Sequence, residues 1–83
     1  MAELKVVDVV LDVKGLTCPM PVLKTKKAID GMGSGQTLEV LATDPASKGD
    51  IPAFLDRLGH ELVEVSENEG VFSFLIRKSV NAH

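Results

Sequence analysis

The sequence predicts an α/β (α+β) two-layer sandwich of order βαβαββ, with a four-stranded mixed sheet and two helices on one face. Four segments have the apolar alternation or composition of strands, and two others carry apolar residues at helical spacing. Glycine, proline and short polar runs separate these segments. Right-handed crossovers place both helices on the same face if the first strands are parallel neighbours.

The first strand is expected over Val7–Val13, because its apolar residues alternate with Asp8 and Asp12. Gly15 interrupts this pattern. A helix is then expected from Pro21 to about Asp30, where the apolar period changes from two to that of a helix. The inward positions of the strand are Val7, Val9, Leu11 and Val13, and those of the helix are Val22, Thr25 and Ile29.

The second strand is expected over Thr37–Thr43, after a turn that contains Gly31, Gly33 and Gly35. Asp44 is expected to cap the second helix with its carboxylate, and Pro45 to preset its first turn. This helix carries an apolar stripe and ends at Gly59, and Pro52 is acceptable only within its first turn. The stripe consists of Ile51, Phe54, Leu55 and Leu58.

The last two strands are expected to form a hairpin over Glu61–Glu67 and Val71–Lys78. Residues 67–70 supply the turn, and Phe72, Phe74 and Ile76 share one face of the final strand. Residues 81–83 are expected to fray. With no internal repeat or linker, we expect a single domain over residues 1–83.

Composition excludes several classes of protein. The 83 residues have a net charge of −3, which argues against a general nucleic-acid binder. One cysteine cannot form an internal disulfide, and the apolar runs are too short for a membrane span. The N-terminus lacks the pattern of a signal peptide. We therefore expect a reduced, cytoplasmic protein that does not bind a membrane and is monomeric when free.

The lone cysteine, Cys18, lies in the sequence Gly15-Leu16-Thr17-Cys18-Pro19-Met20-Pro21-Val22. This segment connects the first strand to the first helix, and a helix N-terminus stabilises an anion such as a thiolate or persulfide. The prolines disfavour the α region for Cys18 and Met20, so the helix is expected to start at Pro19 or Pro21. They also leave the amides of Met20 and Val22 as nearby donors. Cys18 is the candidate reactive residue, and its neighbours in this segment set its geometry.

The charges are distributed unevenly along the chain. Between Val13 and Ile29 the charged residues are all basic, whereas residues 60–70 hold four glutamates and neither Lys nor Arg. The basic set could stabilise an anionic Cys18 or guide an acidic partner toward it, although surface lysines are also ordinary. This set consists of Lys14, Lys24, Lys26 and Lys27.

Other sites are disfavoured. His60 and His83 are expected at the surface, and no His, Cys and carboxylate spacing predicts a metal site. The glycines at 31, 33 and 35 follow a helix and precede a strand, which is the reverse of a phosphate-binding loop. Met20 fits either a core position or an exposed contact near the thiol.

The sequence resembles the TusA/SirA-like sulfur-carrier proteins over nearly the whole chain, from Leu11 to Lys78. The most specific match is the family's Cys-Pro-x-Pro signature at residues 18–21, and Gln36 stands where an acid would be expected. Further matches are Gly35, Asp44-Pro45-Ala46, Asp50-Ile51 opening the second helix, Gly59-His60 and Ile76-Arg77-Lys78.

The resemblance implies a βαβαββ sandwich in which Cys18 carries sulfur as a persulfide. The donor would be a pyridoxal-phosphate cysteine desulfurase or a rhodanese-type protein, and the acceptor another sulfur-relay protein. Sulfur transfer of this kind needs no metal or cofactor in the carrier itself. The pathway, whether tRNA thiolation, cofactor biosynthesis or sulfur oxidation, stays open. The alternatives are a non-catalytic regulatory or protein-interaction domain and a redox-sensing thiol protein.

Overall fold

A computed structural model describes residues 7–17 and 19–79. Its elements follow the predicted order βαβαββ. They are β1 (Val9–Val13), α1 (Met20–Asp30), β2 (Thr37–Ala42), α2 (Ser47–Leu58), β3 (Glu61–Asn68) and β4 (Val71–Arg77). The expected fraying of residues 81–83 and the extended geometry expected for Cys18 lie outside the described residues.

The strands form one four-stranded mixed sheet in the order β1-β2-β4-β3. β1 and β2 are parallel, as the crossover argument required, with Val9 opposite Leu38 and Val13 opposite Ala42. β4 pairs antiparallel with β2 on one side and with β3 on the other. Because β1 and β2 run in the same direction, the helices that follow them both begin beside the carboxyl ends of these strands, where Val13 and Ala42 lie.

The core lies between the helices and one face of the sheet, which confirms the predicted two-layer arrangement. The inward positions of β2 and β4 alternate with half-exposed ones, so these two central strands bury every second residue. The buried strand residues are Val13, Leu38, Val40, Ala42, Phe72, Phe74 and Ile76, and Ile29, Ile51, Phe54 and Leu55 cover them from the helices.

The second helix begins earlier than its apolar stripe indicated, and two expectations about its start are wrong. Its N-cap residue is Ala46, with no side-chain hydrogen bond, because backbone carbonyls accept from the first amides: Ser47 donates to Asp44 O at 3.0 Å. The Asp44 carboxylate instead accepts a long 3.4 Å bond from the Ala46 amide. Pro52 lies inside the helix, not in its first turn. Its missing amide removes a bond to the carbonyl of Lys48, an exposed residue.

The hairpin turn between β3 and β4 is tighter than the sequence indicated. Asn68 pairs with Val71, which leaves the two-residue loop Glu69-Gly70 with φ values of 51° and 82°. Positive φ at both positions is the geometry of a type I′ turn, which favours Asn-Gly.

We expect Glu69→Asn to raise the free energy of unfolding by about 0.5–1 kcal/mol, because asparagine tolerates the left-handed region better than glutamate does. Urea denaturation measures the change. Gly70→Ala is the control with the opposite expected effect. A Cβ at position 70 meets no atom within 4 Å, so any destabilisation of this variant would come from backbone strain alone. A destabilised Glu69→Asn variant would contradict the prediction.

His60 is half-buried where α2 ends, and its Nδ1 accepts a hydrogen bond from the Ser79 amide at 3.2 Å. Burial, together with the charge of Lys78, lowers the pKa of His60 from its ordinary value of 6.5, although Asp30 acts in the opposite direction. The imidazole is therefore neutral in the folded protein at pH 7, which suits its role as acceptor.

Stability should consequently fall as the solution is acidified. Above pH 6.5 the imidazole is neutral in both states; below it the unfolded chain takes up the proton first, so the free energy of unfolding decreases until the folded-state pKa is passed. Urea denaturation at a series of pH values from 7 downward through 6.5 should show this slope, and His60→Gln should flatten it. An equal slope in that variant would assign the effect to other groups.

Candidate functional site

The loop that leaves β1 is fixed by two backbone contacts. The Leu16 amide donates to Val13 O at 3.2 Å, which closes a turn, and Gly15 within it has φ +84°. The Gly15 amide donates to the hydroxyl of Thr43 at 2.9 Å. Thr43 follows β2, so this bond ties the loop to the neighbouring parallel strand.

Thr43 is a contact of this loop that sequence reasoning missed. Its position at the end of the second predicted strand, adjacent to the end of the first, is the signal that could have revealed it. A threonine at that position can offer its hydroxyl to the neighbouring loop. Leu16, also in the loop, is partly buried and packs against the core.

The chain on either side of position 18 turns directly into α1. The Met20 amide donates to Thr17 O at 2.9 Å, and Pro19 is the N-cap residue with φ −97° and ψ 10°. The helix begins at Met20, between the two starts that the prolines allowed. Cys18 itself lies outside the described residues, so its side chain is placed only by the sequence.

Two expectations about Met20 are therefore wrong. Met20 is helical, not extended, because the pre-proline preference is weaker than the turn and helix bonds that surround it. Its amide is occupied by Thr17 and cannot serve an anion. Leu23 donates to Pro19 O at 3.1 Å, so the Leu23 amide is occupied as well.

Buried residues hold the first turns of α1 against the core. Pro21 and Thr25 are both fully buried, and the Thr25 hydroxyl donates to Pro21 O at 2.7 Å. Val22 packs partly against the core. Met20 and Leu23 are 40% and 52% exposed. The start of α1 therefore has a rigid inner side and an apolar outer side, and Met20 is an exposed residue, not a core filler.

Two lysines of the predicted basic set are paired with acids. Lys14 lies 3.9 Å from Asp12, and Lys26 lies 3.0 Å from Asp30. These acids stand just beyond the two ends of the segment without acids, so the sequence window overstated the charge of this region. Exposed pairs of this kind contribute little to stability.

The structure does bring Lys24 and Lys27 together. They line a shallow groove of about 220 Å³ with Leu11 of β1 and Ala28 of α1. Among residues 7–17 and 19–79, neither lysine has a carboxylate within ion-pair distance. This groove is therefore the basic part of the site whose lysines have no ion-pair partner among the described residues.

Comparison with known proteins decides the family. The family profile described as sulfurtransferase TusA matches residues 9–78, which run from the start of β1 to just beyond β4. The chain belongs to the TusA family. The sulfur carrier protein TusA of Allochromatium vinosum is 51% identical over 72 residues, covering 87% of this chain and 95% of the relative. The putative sulfur carrier protein YrkI of Bacillus subtilis is 48% identical over 71 residues, covering 86% and 95%.

A solved structure shows the same fold. The SirA-like protein from Desulfitobacterium hafniense superposes with a TM-score of 0.77 at 26% identity, covering 86% of this chain and 97% of the other. The TusA-family assignment and this likeness confirm the predicted resemblance and the predicted fold. The protein is accordingly a sulfur carrier that acts with partners in a sulfur relay. Neither helix in the described part of the chain has the length and apolar content to cross a membrane.

Proposed function

We propose that Cys18 is the residue that carries the sulfur, as a persulfide. The observation that carries this proposal is the position of Cys18 between Thr17 and Pro19, in a loop tied to β2 and closed onto the first turn of α1. A loop so constrained loses little conformational freedom when it enters another protein's active site. The chain has no other cysteine, so the cargo has no internal thiol to attack it.

The chemistry is an exchange at sulfur in two steps. The Cys18 thiolate attacks the terminal sulfur of a donor persulfide, forming Cys18–S–SH and releasing the donor as a thiolate. An acceptor thiolate then attacks the terminal sulfur of Cys18–S–SH, and the Cys18 thiolate leaves. No electrons are gained or lost overall, so the carrier needs neither a metal nor a cofactor of its own for this exchange.

The supporting residues divide into two groups. The path of the loop is set by Gly15, Leu16, Pro19 and Pro21. The first helical turn has Met20 on its outer side and Val22 on its inner side. Lys14, Lys24, Lys26 and Lys27 are proposed to contact partners, with Lys24 and Lys27 the stronger candidates because Lys14 and Lys26 already face carboxylates.

The partners follow from the same chemistry. We propose a pyridoxal-phosphate cysteine desulfurase or a rhodanese-type protein as donor, because each presents a cysteine persulfide, and a thiol-bearing relay protein as acceptor. The exchange requires a reduced thiol, which fits a cytoplasmic location. We also propose that the free carrier is monomeric.

Intact-protein mass spectrometry after incubation with a cysteine desulfurase and cysteine tests the proposal. The protein should gain one sulfur atom, and dithiothreitol should remove it. Adding a thiol acceptor protein should move that sulfur to the acceptor. A mass that stays unchanged with an active desulfurase and with a rhodanese-type donor would overturn the role of Cys18.

A further inference from the structure

In the part of the chain that the structure describes, β1 is an edge strand with one side unpaired. Within the described residues it pairs with β2 alone, so the backbone groups on its other side have no strand partner. Its five residues run in regular register with β2, without a bulge. Val10 is 59% exposed. An edge with these properties can accept a further strand.

The opposite edge of the sheet is protected. β3 carries a register shift between Leu62 and Glu64, and a bulge of this kind disrupts pairing with an added strand. Its exposed glutamates, which include Glu61, Glu64 and Glu67, add charge along that edge. The two edges therefore differ, and β1 is the one suited to accept a strand.

The surroundings of β1 differ on its two faces. Leu11 points toward α1 and lines the groove of about 220 Å³ with Ala28, Lys24 and Lys27. Val10 and Asp12 occupy the alternate positions, so they lie on the face of the sheet away from the helices. A strand added here would place alternate side chains beside a basic groove and beside Val10.

We propose that the β1 edge binds an extended segment of a partner protein in which acidic residues alternate with β-branched ones. Acidic side chains on one face would meet Lys24 and Lys27, and Val or Ile on the other would pack against Val10. Asp12 disfavours acids on that second face. Main-chain bonds would supply affinity, and the alternation would supply specificity.

A second copy of this chain fits the edge less well. The acidic β3 strand is the complementary surface on another copy, but pairing β1 with β3 is heterologous, so it would propagate into a ring or an open fibre and would not close as a dimer. Pairing β1 with β1 would bring like-charged lysine grooves together. The bound segment therefore belongs to a different protein.

This inference does not depend on the role of Cys18. β1 leads directly into the loop that contains Cys18, residues 14–19. A partner segment bound to β1 would therefore keep that partner near Cys18 without covering the loop. Tethering of this kind raises the effective concentration of the second contact. Binding can be measured with Cys18→Ser protein, which separates this proposal from the chemistry of sulfur transfer.

The test is an NMR titration of ¹⁵N-labelled Cys18→Ser protein with a synthetic peptide of alternating Glu and Val. Amide shifts should appear in residues 9–13 and 24–28. A peptide of the same composition with its Glu and Val residues in separate blocks should bind more weakly. N-methylation of every second peptide amide should weaken binding when the methylated amides face β1, and should not when they face away from it.

Charge reversals supply a matched comparison. Lys27→Glu should weaken binding about fivefold, whereas Lys48→Glu, an exposed lysine on α2 with the same change in net charge, should leave it unchanged. Equal weakening by both variants, equal binding of the block peptide, or shifts centred on another surface would overturn the proposal. Concentration-dependent shifts without peptide would assign the edge to a second copy and overturn it as well.

Discussion

Cys18→Ser is expected to abolish sulfur loading while leaving the fold intact. A serine hydroxyl is not ionised at neutral pH and does not form a persulfide, so the variant should show no added sulfur after treatment with desulfurase and cysteine. The substitution replaces one sulfur atom by oxygen in a loop that is held by bonds of the neighbouring residues: Gly15 with Thr43, and Met20 with Thr17. Intact-protein mass spectrometry measures the loading.

The control is the urea denaturation midpoint, which should stay close to that of the wild type. A Cys18→Ser protein that still gains a sulfur atom would place the cargo elsewhere and contradict the proposed site. A variant that loses loading and unfolds would be compared with Cys18→Ala. If that protein folds but gains sulfur, the prediction also fails.

Phe74→Ala is expected to lower the free energy of unfolding by about 3–5 kcal/mol. Phe74 is fully buried in β4, opposite Val40 of β2 and Val65 of β3, so its removal leaves a cavity in the core. A chain of 83 residues has a total stability of roughly 4–12 kcal/mol, so this loss is a large fraction of it. Urea denaturation followed by circular dichroism measures the change.

Val10→Ala is the matched control, because Val10 is a strand residue of the same sheet that is 59% exposed. Its effect on the unfolding free energy should stay within about 0.5 kcal/mol. Equal destabilisation by the two substitutions would mean that the core does not lie on the helix side of the sheet.

The elements of this fold could be predicted because their signals are local. Alternation identifies β2 from its own six residues, and the stripe from Ile51 to Leu58 identifies α2 from its own side chains. Element ends were harder to predict, since backbone bonds decided them. α2 starts at Ser47 because carbonyls of residues 44–46 accept its first amides, a contact that no side-chain pattern displays.

The candidate site divides in the same way. The motif around Cys18 and its position between a strand and a helix are properties of the sequence. The Lys26 and Asp30 pair could have been found from its i, i+4 spacing. The bond from Gly15 to Thr43 joins residues 28 positions apart, and the groove joins Leu11 to Lys24 and Lys27 across two elements.

The sequence by itself determined the order of elements and the buried faces of β1, β2 and β4, because these follow from periodicity. It also contains the single cysteine that we propose as the sulfur carrier. Only the tertiary structure decided that β4 lies between β2 and β3 and that β1 is an edge strand of the sheet formed by the described residues. Strand pairing depends on contacts between residues distant along the chain, and local periodicity does not specify which strands become neighbours.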